Sequence, residues 1–438
     1  MTAFQLKRRT TCIISDHTEL YRTKKTVCTA AIQSAIDACA ANGGGRVTVP
    51  AGIYKTGTIW LRSGVELHLE FGSELLASEN FDDYNEIEAY PQNLNSPINE
   101  QWVGKHLIIA LEVENVAITG LGTINANCDA FVDYVPVPPR LTWRSGMSVC
   151  KDSENLRPGQ VIVFIECRHV TVHDITVRNA TCWAIFFHGC DFVQARGIKI
   201  NTPIHILNSD GIDIDSCRYV TVSDCIIRCA DDGITIRCDK SKLKNKDRDT
   251  EYITITNCVI HAGCNGFRIG VGAGNIRHVQ ISSIVIERCL CALEFCTAYS
   301  KYCRANIEDI HVSGITAVDA DAAFRLYAKN GASLRNISIE SIRANSSMMN
   351  FIDGENGTAD NIRIRDAEIT VSDRFTKDQL DNWQFNFRGN HVFKVHSASR
   401  VVLNGLKIHG TLSDCDGEYS FVNCDDIVKR DCVLDSES

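Results

Sequence analysis

The sequence predicts a right-handed parallel β-helix, an all-β solenoid of about ten coils with an N-terminal capping helix. Three observations predict it: a short apolar segment that recurs along most of the chain, one early helical stretch ending on three glycines, and no linker or low-complexity segment in 438 residues. Solenoids lengthen along one axis, so 1–438 reads as a single domain although its length would hold two or three average ones.

Hydrophobic residues make up 44% and charged residues 23%, ordinary globular usage that implies a large buried core. The net charge of -9 carries no polybasic footprint, so neither nucleic acid nor an anionic membrane is an expected partner. After Met1 the residues Thr2, Ala3, Phe4, Gln5 and Leu6 lead directly into Lys7, Arg8 and Arg9. No apolar run resembles a secretion signal or a membrane span, and the chain reads as cytoplasmic. The 21 cysteines are odd in number and contain no C-x-x-C, which favours reduced core thiols over disulfides or a metal site.

Along the chain, Ala31, Ile32, Ala35, Ile36 and Cys39 recur at helical spacing within 25–42, and Gly43-Gly44-Gly45 ends the run. Such a helix is expected to cap the first coil, which would otherwise expose an apolar face and unpaired strand edges. Strand-like runs follow at Arg46-Val47-Thr48-Val49-Pro50 and Val65-Glu66-Leu67-His68-Leu69.

The repeat begins at Val116-Ala117-Ile118. It recurs at Val170, Val193, Val220, Ile253, Val279, Ile310, Ile337, Ile362 and Val401, and the starts from Val170 to Ile362 are 23, 27, 33, 26, 31, 27 and 25 residues apart. Leucine-rich repeats share this period but need a dense Leu consensus, whereas Val and Ile dominate here. The polar stretches 82–100, 132–155 and 238–250 read as loops. The segment 348–438, with Trp383 and Asp425-Asp426, is expected to supply the last coils and a tail that covers one end of a cleft or forms an interface.

A second strand per coil starts at Ala184, Gly211, Gly233, Gly266, Ala292 and Ala323. Alternation then points two columns outward. One reads Phe186, Asp213, Thr235, Arg268, Glu294, Arg325; the other reads His188, Asp215, Arg237, Gly270, Cys296, Tyr327. For one strand a solvated polar face would suffice, but six neighbouring strands bearing aromatics, His and both charge signs indicate a binding cleft.

At one end of these columns lie Asn208-Ser209-Asp210-Gly211 and Ala230-Asp231-Asp232-Gly233, one coil apart. Asp-Gly is common turn chemistry and acidic clusters bind calcium, so each pair alone decides little. Together, three carboxylates meeting across the stack suit glycoside hydrolysis, which needs one protonated carboxyl for the leaving oxygen and one carboxylate to activate water. Mutual repulsion raises the proton affinity of one member of such a cluster.

At these residues the chain resembles the polygalacturonase family of glycoside hydrolases, family 28. The similarity runs from the helix and Gly43-Gly44-Gly45, through Pro50-Ala51-Gly52-Ile53-Tyr54 and Gly120-Leu121-Gly122-Thr123-Ile124, to about Thr297, and includes Arg157-Pro158 and Trp183. The family's N-T-D-G appears as Asn208-Ser209-Asp210-Gly211 and its G-D-D as Ala230-Asp231-Asp232. The resemblance implies that Asp231 is the general acid, that Asp210 and Asp232 activate water, and that the anomeric carbon inverts.

Two departures stand out. The family's G-H-G is replaced by Gly263-Cys264-Asn265-Gly266, and its R-I-K, whose cations hold a uronate carboxylate, by Glu294-Phe295-Cys296. A carboxylate at Glu294 would repel a galacturonate. Arg268 and Arg325, one coil to either side, and Arg237 near the aspartates are candidates to neutralise Glu294 or hold an acidic sugar, and an Arg268–Glu294 structural ion pair is equally compatible. Asn208, Cys264, Asn265, His188 and Tyr327 complete the expected substrate contacts.

The expected function is an inverting, exo-acting glycoside hydrolase without metal or organic cofactor, acting on a pectin-related or uronate-containing oligosaccharide. A β-helix lyase or epimerase remains as an alternative, with Arg237 or His188 as base, as does a non-catalytic carbohydrate-binding solenoid. Oligomeric state is not legible.

Overall fold

In the computed structural model, which describes residues 10–13, 26–86, 102–136, 146–152, 156–299, 303–374, 391–413 and 419–435, successive coils pair in parallel and in register. Val116, Val170, Val193, Val220, Ile253, Val279, Ile310, Ile337, Ile362 and Val401 form one continuous ladder. Every repeat start therefore faces its counterpart in the next coil. The ladder is longer than the expected ten coils: Thr10–Ile13, Gly45–Val49 and Val65–Leu69 precede it and Asp425–Arg430 follows it. At the two repeat positions these outer coils carry Thr10 and Cys12, Gly45 and Val47, Val65 and Leu67, and Ile427 and Lys429, so Thr, Gly, Cys and Lys interrupt the Val and Ile pattern. The parallel strands form one 32-stranded sheet wound as a right-handed parallel β-helix.

Inward-facing side chains stack on themselves. Phe164 and Phe187 lie with ring centroids 5.3 Å apart, and Phe267, Phe295 and Phe324 are buried in later coils of the same core. Each such side chain contributes about 1.5–3 kcal/mol by leaving water. The helix spans Thr29–Ala41 and buries Ile32, Ile36 and Cys39; Lys25, where the sequence pattern begins, lies outside the described residues. Gly44 ends it for a steric reason as well, since a Cβ there would sit 2.4 Å from the Gly64 carbonyl oxygen. The helix shares cover of the first coils with Thr10–Ile13, a strand that the pattern did not predict.

Two loop expectations change. Within 132–155, Val132–Pro136 and Gly146–Cys150 pair antiparallel as a two-stranded ribbon outside the solenoid. Within 238–250, Lys240–Lys242 forms a single 3-10 turn. Most of 82–100 and Trp383 lie outside the described residues, while Asp425 and Asp426 begin a strand of the last coil. Among the described residues 19 cysteines are free, and most of these are buried. Among the described residues no helix is long and apolar enough to cross a membrane.

One residue before each repeat start turns the chain through the left-handed region. His169, Phe192, Tyr219, Tyr252 and His278 have φ of 55°, 57°, 58°, 60° and 57°. Bulky residues are strained there. Their rings stack face to face down the outside of the solenoid, with centroids 4.9, 4.9, 5.1 and 5.2 Å apart, which offsets part of that strain.

If inward stacking carries the stability, Phe164→Ala should cost about 3–5 kcal/mol, whereas Phe71→Ser, at a side chain 81% exposed, should stay within about 0.5 kcal/mol. Urea unfolding followed by circular dichroism compares them; equal losses would mean that the core is not organised as described.

Candidate active site

The two Asp-Gly turns are a product of close stacking. A Cβ on Gly211 would lie 2.3 Å from the Gly233 oxygen, and one on Gly233 would lie 2.7 Å from the Gly266 oxygen. Backbone bonds then run up the stack, from Ala184 N–H to Asp210 O (2.9 Å), Gly211 N–H to Asp232 O (2.9 Å) and Gly233 N–H to Asn265 O (2.8 Å). Asp210, Asp232 and Asn265 thus hold the same position on successive coils. Asp231 sits one residue earlier, and its carbonyl accepts from the Cys264 N–H at 3.0 Å.

The segment before Asp210 is braced from far along the chain. Arg157 donates through Nη1 to the carbonyls of Thr181 (2.7 Å) and Leu207 (2.6 Å) and through Nη2 to Asn208 Oδ1 (3.3 Å). Asn208 itself turns through φ 52°. The antiparallel ribbon adds two bonds, Ser148 N–H to His205 O (2.8 Å) and Leu207 N–H to Ser148 Oγ (3.1 Å). Ser209 Oγ accepts from the Ala230 N–H at 3.1 Å, tying one acidic turn to the other.

Asp232 is held as an acceptor. It receives the Asn265 backbone N–H (2.9 Å), Asn265 Nδ2 (2.8 Å), Arg268 Nε and Arg268 Nη2 (3.3 Å). Arg268 continues to Glu294 Oε1 through Nη1 (3.4 Å), and Glu294 Oε1 also accepts the Tyr327 hydroxyl at 2.7 Å. Burial opposes charge on Arg268, but Asp232 and Glu294 outweigh it and push its pKa well up. Burial, then the charge of Glu294, pushes the Tyr327 phenol up, keeping it a donor. Burial and the charges of Asp232 and Asp231 likewise push the Cys264 thiol well up, so it remains a neutral S–H.

A second network lies toward the earlier coils. Arg237 stacks on Trp183, its guanidinium carbon 4.6 Å from the ring centroid, and approaches Asp215 Oδ2 at 3.3 Å and Asp213 Oδ1 at 3.9 Å. Thr235 donates to Asp213. Burial pushes the Asp213 carboxyl up to about 8, against the opposing pull of Arg237 and Thr235. Asp213 and Asp215 stood in the predicted columns without being singled out; two acids at alternate positions after Asp210-Gly211 were the available signal. Tyr299, whose ring lies 5.0 Å from the Arg268 guanidinium carbon, gave no sequence signal.

The predicted columns pair as expected, Phe186–Asp213–Thr235–Arg268–Glu294–Arg325 and His188–Asp215–Arg237, with two corrections. A register shift between Ile236 and Cys238 takes Arg237 out of line with Gly270. Apart from the half-buried Arg237, their polar members are also almost wholly covered, as a packed network and not an open face. His188 and Arg325, expected to touch sugar, are 0% exposed, and Asn265 is equally buried against Asp232. Asn208, Asp231, Arg237 and Cys264 are the half-buried members of the predicted set.

This arrangement bears on the alternatives. The carboxylates of Asp231 and Asp232 and Cys264 Sγ lie within 4.8 Å of one another. Calcium takes six to eight oxygen ligands, and here one donor is a thiol while Asp232 already accepts from Arg268 and Asn265. The bases named for a lyase or epimerase are poorly placed, His188 being covered and Arg237 engaged by Asp215 and Trp183.

Fold and site together define a parallel β-helix with three aspartates gathered on adjacent coils. The family model of Glycosyl hydrolases family 28 matches residues 39–379, and the chain belongs to that family. It is similar to an exo-poly-α-D-galacturonosidase of Dickeya chrysanthemi, 27% identical over 241 residues that span 48% of this chain and 39% of that enzyme. It also resembles the family 28 exopolygalacturonase of Yersinia enterocolitica (TM-score 0.65, 18% identity, 96% of this chain and 78% of that one). A hyperthermoactive exopolygalacturonase from Thermotoga maritima gives a TM-score of 0.52 at 18% identity, over 97% and 92% of the two chains. At such identities the structural likeness shows the fold.

The Asp213 carboxyl sets a pH test. Its folded pKa of about 8 lies above the ordinary value near 3.9 of an unfolded chain, so the unfolded state loses this proton first. The stability contribution is complete below about pH 4 and is lost as pH rises to about 8. Asp213→Asn should flatten the decline in urea-measured stability over that interval; an equal loss at all pH values would mean that Asp213 is ionised and paired with Arg237.

Proposed function

We propose that the chain is an inverting, exo-acting glycosidase of pectin-related oligosaccharides. The arrangement of the aspartates carries the reading: Asp231 is half-buried and reachable, while Asp210 and Asp232 are only 6% and 3% exposed. Asp232, which accepts from Asn265 and Arg268, suits a base and not a proton donor. Asp231 protonates the glycosidic oxygen as the bond from the anomeric carbon breaks. A water on the opposite face gives its proton to the Asp210–Asp232 pair as its oxygen bonds to that carbon. The configuration inverts, and one water is consumed.

Family membership supports the glycosidase class, and the names of the relatives support exo action and a pectin-derived substrate. The free cysteines support a reducing compartment, and we assign no metal to the catalytic step.

Asp231→Asn should lower turnover of pectin-derived oligosaccharides by about 10²–10⁴-fold while sugar binding persists. Proton NMR of fresh product should show the inverted anomer, and a chelator should leave the rate unchanged. A retained anomer, an unsaturated product absorbing in the ultraviolet, or full activity in the variant would each sink the proposal.

A further inference from the structure

Resting on that reading, we infer that the sugar ring bound on the later-coil side of Asp231, against Cys264 and the Arg268–Glu294 pair, is uncharged: a neutral pyranose or an esterified uronate.

The inference comes from what the cations there already hold. Arg268 is one positive charge shared by two carboxylates, with Nε and Nη2 on Asp232 and Nη1 on Glu294. Its face is taken by the Tyr299 ring, and Nη2 also points at Cys264 Sγ, 3.5 Å away. Neither an edge nor that face of the guanidinium is open for a bidentate grip on a further carboxylate. Arg325, one coil on, is wholly covered. Lys329 is exposed to solvent, two residues beyond Tyr327, its ammonium 5.2 Å from that ring's centroid.

With one cation between Asp232 and Glu294, and Asp231 and Asp210 alongside, an ionised uronate would add a carboxylate to an anionic surface of low local dielectric, where like charges repel strongly. Glu294 is therefore a specificity-determining residue. Its hydrogen bond from Tyr327 fixes it beside Arg268, and its charge excludes acids. Two features on the same side suit an uncharged ring. Tyr299 is 41% exposed, and Cys296, Tyr327, Phe351 and Met349 pack as an apolar cluster beyond Glu294. The inference is confined to the later-coil side; on the earlier-coil side Arg237 lies half-buried against Asp215 and the Trp183 ring.

The test compares kcat/KM of the wild type on three matched oligosaccharides at a pH where uronates are ionised: free oligogalacturonate, its methyl ester, and a neutral galacto-oligosaccharide of the same linkage. The ester or the neutral sugar should be turned over at least about tenfold faster than the free acid, and whichever leads tells the two uncharged classes apart. Glu294→Gln, with its melting temperature checked, should narrow that ratio at least about threefold. Preference for the free acid, or a ratio unmoved in folded Glu294→Gln, overturns this inference and leaves the glycosidase reading standing; no turnover of any of the three removes both. The wild-type ratio decides even if the variant does not fold.

Discussion

Parallel strands in register bring the same position of every coil to within about 4.8 Å of its neighbours, so each side chain meets its counterpart above and below before it meets anything else. Inside the solenoid this is cheap, because Val, Ile and Phe stack on themselves. On the outward face it is demanding, because like charges directly opposite one another destabilise a sheet. The ladder Asp213–Thr235–Arg268–Glu294–Arg325 answers by placing unlike groups next to each other.

The aspartate cluster is the place where that rule is strained. Asp210 and Asp232 share one position on adjacent coils, with Asp231 beside them, because glycines at 211 and 233 let the turns approach too closely for any side chain. Buried carboxylates are costly unless they are hydrogen-bonded and paired. Arg268 and Asn265 supply that for Asp232, and Arg157 with the ribbon around Ser148 hold the turn before Asp210. The contacts that make the cluster tolerable also occupy Arg268, which is shared between Asp232 and Glu294.

The bend preceding each repeat shows the other side of stacking. A left-handed residue is needed once per coil, and Asn or Asp would serve. Over five coils the position holds aromatic or imidazole rings instead, and the stack they form works only because every ring has a neighbour on the next coil.

In-register stacking turns a linear repeat directly into spatial neighbours, so the solenoid, its coil ladder from Val116 to Val401, the two outward columns and the meeting of three aspartates were legible in the residues alone. Which outward residues are open was not. Covering depends on segments far apart in sequence: Arg157 reaches Asn208 across 51 residues, and Tyr299 closes over Arg268 from beyond its strand. The ladder's extra coils were hidden where Thr10, Cys12, Gly45 and Lys429 interrupt the Val and Ile pattern, and the displacement of Arg237 by a single-residue register shift. Burial, shared cations and local slips depend on distance and packing, which a periodic pattern does not encode; for that reason Glu294 was recognisable in the sequence as an oddity, but only the fold shows that it shares Arg268 with Asp232.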